Sequence, residues 1–303
     1  MKNLHKKRNW NQYNQNLINR GSINFWFSKE TVKKWKAKKD KKHFGRPFFY
    51  SNVVILTAHT LRFVYHLPLR ALQGFMKSLI DLLGISLKTP NYSQICRRIK
   101  NLNLPNIKIK KRITDIVVDA SGLKVYGEGE WKVKVHGKSK RRKWMKIHIG
   151  IDPKSQEILI SKLTENNGSD IDTAIEFIQG MPPYGNFHGD GLYDAERIYE
   201  ALWKKKRKPF IPVRKNTLHK RFLRPWLKPK ENQINIIKGL GGDGIARSLW
   251  KKLTGYHKRS LVETAFYRFK QLLGSGLKSR KSENQVIEAK LKCHILNKML
   301  LVS

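Results

Sequence analysis

Acidic residues are scarce in this 303-residue chain: 22 Asp and Glu face 63 Lys and Arg, a formal net charge of +41. An excess of this size must be held against something anionic. Polyphosphate fits best, because each neutralised phosphate releases a counterion and that release dominates nucleic-acid affinity. A membrane surface is the other anionic option, but it calls for an amphipathic basic helix or a lipid anchor, and neither is evident. Long apolar runs are also missing. No stretch approaches the ~18 uninterrupted apolar residues of a transmembrane helix. The basic start, Met1 to Arg8, has no apolar run behind it and so does not read as a secretory signal. Only two cysteines occur, Cys96 and Cys293, too few for a disulfide framework and without a Cys or His partner at zinc spacing. Two reduced thiols in a cytoplasmic protein that binds nucleic acid, with no membrane partner, are the expectation.

What is present points to a folded protein: 40% hydrophobic residues, with 13 Phe, 10 Tyr and 8 Trp. The length suggests two domains, and the charge divides accordingly. Residues 1–112 hold 25 Lys and Arg against 3 Asp and Glu, whereas nearly all the carboxylates fall in 113–303. That asymmetry suggests a binding module followed by a catalytic one. Residues 1–50 read as a basic arm, although Trp10, Tyr13, Phe25, Trp26, Phe27 and Trp35 interrupt its lysines. Residues 51–112 read as a helical DNA-binding domain and linker. Helices are expected over Val53–His66, over Leu69–Leu83 with Leu72, Phe75, Leu79 and Leu82 in helical register, and over Tyr92–Leu102. A helix, a turn at Gly84 and a short basic helix give a helix-turn-helix picture, with Arg97, Arg98 and Lys100 as its DNA contacts. A small helical bundle of another kind would look the same.

Residues 113–303 alternate strands and helices. Strands are expected at Thr114–Val118, Trp144–Ile151, Glu157–Lys162, just before Asp190, and at Pro209–Val213. Helices are expected at Ile171–Ile178, Ala195–Lys204 and Ser260–Leu273, the last ended by Gly274. The fold class is α/β: a mixed sheet with flanking helices, preceded by the small all-α domain.

Three carboxylates stand out. Asp119 ends the run Ile116–Val118, Asp190 follows a short strand between Gly189 and Gly191, and Glu263 sits in the last expected helix. Hard oxygen ligands suit Mg²⁺, and two ions about 3.5–4 Å apart serve an in-line displacement at phosphorus. A lone Asp at a strand end is more often a cap or turn. Asp115 shares the Asp119 strand face and is its rival for the first ligand position. Around Glu263, the residues Tyr256, Arg259 and Lys270 fall at spacings that set them on one helical stripe, opposite Val262, Phe266, Phe269 and Leu273. That stripe reads either as phosphate contacts beside a metal ligand or as an ordinary Arg259–Glu263 ion pair. The GxGxxG at Gly239–Gly244 lacks a βαβ context and reads as a flexible loop. His148 and His188 read as structural or assisting residues, and Lys132–Lys146 as a DNA-facing basic surface.

The spacing Tyr256-x2-Arg259-x3-Glu263-x6-Lys270 resembles the Y-R-E-K signature of bacterial insertion-sequence DDE transposases, and within them the insertion-sequence four/five superfamily. The stretches 118–127 and 189–194 resemble that family's surroundings of its first two aspartates. The resemblance implies an RNase H-like catalytic domain over 113–303. It implies hydrolysis at the ends of a transposable element and joining of the freed 3′-hydroxyl to target DNA. Asp119, Asp190 and Glu263 would be catalytic ligands of two Mg²⁺ ions, with Mn²⁺ able to substitute. Tyr256, Arg259 and Lys270 would contact phosphates. Partners would be double-stranded DNA, as terminal inverted repeats and as target, and a second copy in a synaptic homodimer near the bacterial nucleoid. Relatives with a large β insertion before the glutamate differ: only Asn216–Lys252 is extra here, so roles tied to that insertion, such as gripping a hairpinned end, are not carried over. A non-catalytic repressor derived from a transposase and a plain RNase H-like nuclease are the rival readings.

Overall fold

The computed structural model describes residues 9–38, 47–104, 115–125, 144–214 and 224–301. The first eight residues, most of the expected linker, the basic stretch from Lys132 up to position 143 and the start of the extra segment at Asn216 lie outside them. The chain divides into two units: residues 1–105 with 272–274 and 281–303, and residues 106–271 with 275–280.

In the first unit, α1 (Trp10–Arg20), α2 (Ile23–Trp26) and α3 (Lys29–Lys33) occupy much of the stretch expected as an arm. Two indoles explain the difference. Trp26 and Trp35 are buried, and their ring N–H groups donate to the carbonyls of Arg20 (2.7 Å) and Lys88 (2.9 Å). A large apolar ring whose single donor is satisfied is a strong anchor. Next come α4 (Asn52–Val64), α5 (Leu69–Leu82) and α6 (Tyr92–Arg98), in the expected order. Ser51 caps α4, and Asn91 with Gln94 forms a capping box on α6. Gly84 turns the chain after α5 at φ +63°, a conformation that favours glycine.

The second unit holds the sheet. β1 (Asp115–Val125), β2 (Trp144–Ile151) and β3 (Ile158–Glu165) pair antiparallel, while β4 (Gly185–His188) and β5 (Arg207–Phe210) run parallel to β1, giving the order β3-β2-β1-β4-β5. β1 runs on well beyond Asp119, where the sequence suggested an end. β4 pairs with β1 at 115–117 and the short β6 (Gly276–Leu277) pairs with it at 124–125, so among the described residues no strand pairs with 118–123 on that side. The helices α7 (Asp170–Gly180) and α8 (Glu196–Lys204) bury Ala174, Phe177, Ile178, Ile198 and Leu202 with Ile116 and Val118. β5 begins earlier than the expected strand.

Two helices fill the extra segment, α9 (Lys228–Gly239) and α10 (Gly244–Leu253), with their own small core of Val213, Ile234, Ile237, Ala246 and Trp250. The expected flexible glycine loop is instead the tight turn between them. Gly241 and Gly242 take φ +109° and +74°, and Asp243 caps α10 by accepting from the Ala246 amide. α11 (Ser260–Leu273) has the expected bounds. Tyr256–Arg259 form a separate 3-10 turn ahead of it, so the four-residue stripe is not on one continuous α-helix.

The last helix, α12 (Ser282–Leu300), was not expected, and it groups with the first unit although its residues fall in the range 113–303. Its buried side carries Glu288 and Lys292, 3.6 Å apart, with the ammonium over the Phe63 ring.

Arg98 is also buried. Its guanidinium donates to the Tyr50 carbonyl and to Asn52 Oδ1 (2.6 Å), which commits it to the fold, whereas Arg97 and Lys100 are exposed. Of the three cations expected on DNA, two face solvent. Arg98→Ala is expected to lower stability by roughly 1–3 kcal/mol, because it strands a buried carbonyl. Arg97→Ala is expected to leave stability unchanged. Urea denaturation of both variants checks this.

Candidate active site

Alternation along β1 puts Asp115, Val117, Asp119, Ser121 and Leu123 on one face. Three cations from the 3-10 turn and α11 attach along that face. Lys258 donates to Asp115 Oδ2 (2.9 Å), Arg259 to Asp119 Oδ2 (2.9 Å) and Lys270 to the Ser121 hydroxyl (2.7 Å). Val262, Ala265, Phe266, Phe269 and Leu273 are buried on the other side of α11. The apolar stripe read from the sequence is therefore the anchor.

Arg259 donates with its other terminal nitrogen to Glu263, one helical turn on, and so joins the carboxylates of Asp119 and Glu263. The Tyr256 hydroxyl donates to the carbonyl of Gly189 (3.2 Å), the residue before Asp190. Asp190 lies two residues beyond the end of β4, and its side chain accepts from the Leu192 amide (2.9 Å), capping a 3-10 turn over Gly191–Tyr193. Gly189 has no room for a side chain: a Cβ there would lie 2.8 Å from the Tyr193 ring. Tyr256, Arg259 and Lys270 are thus each bonded to a first or second aspartate or to a close neighbour of one. The sequence reading missed Ser121, two residues beyond Asp119 on the same face, and Lys258, which continues the cationic run.

The electrostatics separate the two aspartates of β1. Burial pushes Asp119 above the ordinary carboxylate range; the Ala120 amide and Arg259 oppose this, and the charges of Asp190 and Glu263 add to it. For Asp115 burial also acts upward, but hydrogen bonds from Lys258 and Asn186 outweigh it and leave the group below its ordinary value. Burial alone would weaken the hold of Arg259 on its proton; Asp119 and Glu263 more than offset it. Tyr256 is pushed up to about 12, chiefly by burial.

Three carboxylates that repel one another around a half-buried group are a hard-oxygen donor set of the kind a divalent cation accepts. As the side chains stand, no group of three His, Cys, Asp or Glu among the described residues is close enough to hold a metal, and a guanidinium bridges two of the three. His188 is buried on the Asp119 face, stacked on Phe210, with Asp115 at 3.8 Å. His148 pairs with Ala120 in register and so lies on the opposite face, bonded to Thr164.

A protein family described as "Transposase DDE domain" matches residues 110–298, and a second family with the same description matches residues 18–128. The chain belongs to the DDE transposases. Among solved structures it is similar to a piggyBac transposase synaptic complex with hairpin DNA, at 10% identity over 95% of this chain and 74% of that one, TM-score 0.45. It is also similar to a pre-cleavage Mos1 transpososome, at 9% identity over 87% of this chain and 81% of that one, TM-score 0.23. No helix among the described residues is long and apolar enough to cross a membrane.

Burial holds His188 neutral down to a pKa of about 4, opposed by Asp115 and aided by Lys258 and His257. The unfolded chain binds a proton near pH 6.5 and the folded one does not. Stability is therefore complete above that pH and falls as pH drops from about 6.5 to 4, by on the order of 2–3 kcal/mol from this residue. Urea midpoints measured between pH 7 and 4.5 should decline, and His188→Phe should flatten the decline.

Proposed function

We propose that this chain is an insertion-sequence transposase of the four/five superfamily, with an RNase H-like catalytic unit. It binds the terminal inverted repeats of its element, hydrolyses the phosphodiester at each end and joins the 3′-hydroxyl to target DNA. The observation that carries this reading is the Arg259 bridge between Asp119 and Glu263, set where the charge of Asp190 also bears on Asp119. The strand order, with an antiparallel β1–β3 and parallel β4 and β5, supports the RNase H-like assignment.

Asp119, Asp190 and Glu263 would hold two divalent cations, Mg²⁺ or Mn²⁺. When bound, these supply nucleophile activation and stabilisation of the leaving oxygen. The protein side of the chemistry is positioning. Ser121 anchors Lys270, Gly189 anchors Tyr256, and both side chains stand ready beside the aspartates to meet phosphate oxygens. Arg259, always charged and fork-shaped, can exchange its carboxylates for a phosphate as the scissile strand arrives. Arg97 and Lys100 belong to the end-recognition surface of the helical unit. Two copies act together in a synaptic complex, in the bacterial cytoplasm at the nucleoid.

The experiment is incubation of purified protein with labelled repeat DNA, taken from the sequence flanking the reading frame, and Mg²⁺ or Mn²⁺. Nicking at the repeat end followed by strand transfer is expected. Repeat binding without either reaction overturns the proposal, and cleavage indifferent to repeat ends favours a plain nuclease.

Asp119→Asn, Asp190→Asn and Glu263→Gln are each expected to abolish nicking in that assay and to leave repeat binding intact by gel shift. Raising salt from 50 to 200 mM should weaken repeat binding by roughly 10³-fold or more if six or more phosphates are contacted.

A further inference from the structure

The turn that carries Asp190 ends at Asp194, and Asp194 is a buried carboxylate with three donors from three places in the chain. Tyr199 of α8 donates its hydroxyl to Oδ1 (3.0 Å), the Arg214 amide beyond β5 donates to Oδ2 (3.3 Å), and Lys230 of α9 lies 2.8 Å from Oδ1. The Asp194 side chain is 1% exposed. A carboxylate so deeply buried is retained only with its charge paired and its oxygens bonded. The same turn is closed by backbone bonds from Tyr193 to Asp190 and from Asp194 to Gly191, so its two ends move together.

The other helix of the extra segment reaches the opposite end of this turn. Trp250 of α10 packs against Tyr256 with ring centroids 5.9 Å apart, and Tyr256 donates to the Gly189 carbonyl, just before Asp190. Arg247 of α10 adds a bond to the Val213 carbonyl (2.9 Å), next to the Arg214 amide held by Asp194. The α9–α10 hairpin therefore grips the Asp190 turn at both ends: through Lys230–Asp194 after it, and through Trp250–Tyr256–Gly189 before it.

We infer that the α9–α10 hairpin is a clasp that fixes the Asp190 carboxylate for the metal, with the Asp194–Lys230 pair as its positioning residues. This deepens the proposed function and rests on it. Neither residue touches the reacting atoms. Their effect passes through the backbone of 190–194 to the carboxylate that caps it. Outer residues that orient a metal ligand change metal affinity or activity by about 10- to 100-fold when altered.

The test uses the full chain with Lys230→Arg, which keeps the charge and alters the fit, and Asp194→Asn/Lys230→Met, which neutralises both partners and avoids a lone buried charge. Thermal melts establish folding. Mn²⁺ binding is measured by titration calorimetry with and without repeat DNA, and repeat cleavage as a function of Mn²⁺ concentration. The paired variant is expected to half-saturate at about 10- to 100-fold more Mn²⁺, with repeat affinity and turnover at saturating Mn²⁺ unchanged. Lys230→Arg should shift less. If the paired variant does not fold, the Lys230→Arg shift alone decides. Wild-type Mn²⁺ half-saturation in the folded variants overturns the clasp while leaving the proposed function standing. A wild-type protein that neither binds Mn²⁺ nor cuts the repeat overturns both.

Discussion

The charges of Asp190 and Glu263 bear on the mostly buried Asp119, like sign against like. In a medium less polarisable than water the energy of such a cluster rises steeply, and Arg259 is the cation that answers it. Its fork spans Asp119 on the central strand and Glu263 on the helix, so one side chain both balances charge and ties α11 to β1. Lys258 and Lys270 repeat the attachment on either side, at Asp115 and Ser121. Among the described residues no strand pairs with β1 between its β4 and β6 partners, the stretch that carries Asp119 and Ser121.

Asp115 and Asp119 show how one strand face gives two like residues different fates. They lie four positions apart and point the same way. Asp115 is saturated by Lys258 and Asn186 and held low, as a structural link between β1, β4 and the turn before α11. Asp119 keeps a costly charge, raised by burial and by the neighbouring acids. Nothing in the sequence distinguished the two in this way.

Much of the fold was legible where one rule governed a segment. Ile116–Val118 and the run Trp144–Ile151 announce strands, and the stripe Val262, Phe266, Phe269 and Leu273 gives α11 its bounds. The candidate site residues were picked out by spacing, although Tyr256 and Arg259 sit on a 3-10 turn that spacing alone could not distinguish from a helical start. The rest was hidden by compensation between distant residues. α12 buries Glu288 and Lys292, two charges that lie beside each other and Phe63. Arg98 read as a DNA contact because its partners, Tyr50 and Asn52, lie far back along the chain. The glycines at 239–244 read as slack, whereas the positive φ of Gly241 and Gly242 turns the chain between two helices.

The return of α12 to the first unit bears on how the protein comes into being. Residues 106–271 and 275–280 form the unit with the carboxylates, and every one of them precedes 281–303, which complete the unit that began the chain. On the ribosome the order of birth and the order of completion therefore differ. The sheet and the carboxylates along it are all synthesised while the N-terminal helices still wait for the helix that packs on them. Removing residues 281–303 would take that helix from the first unit and leave every residue of the second in place.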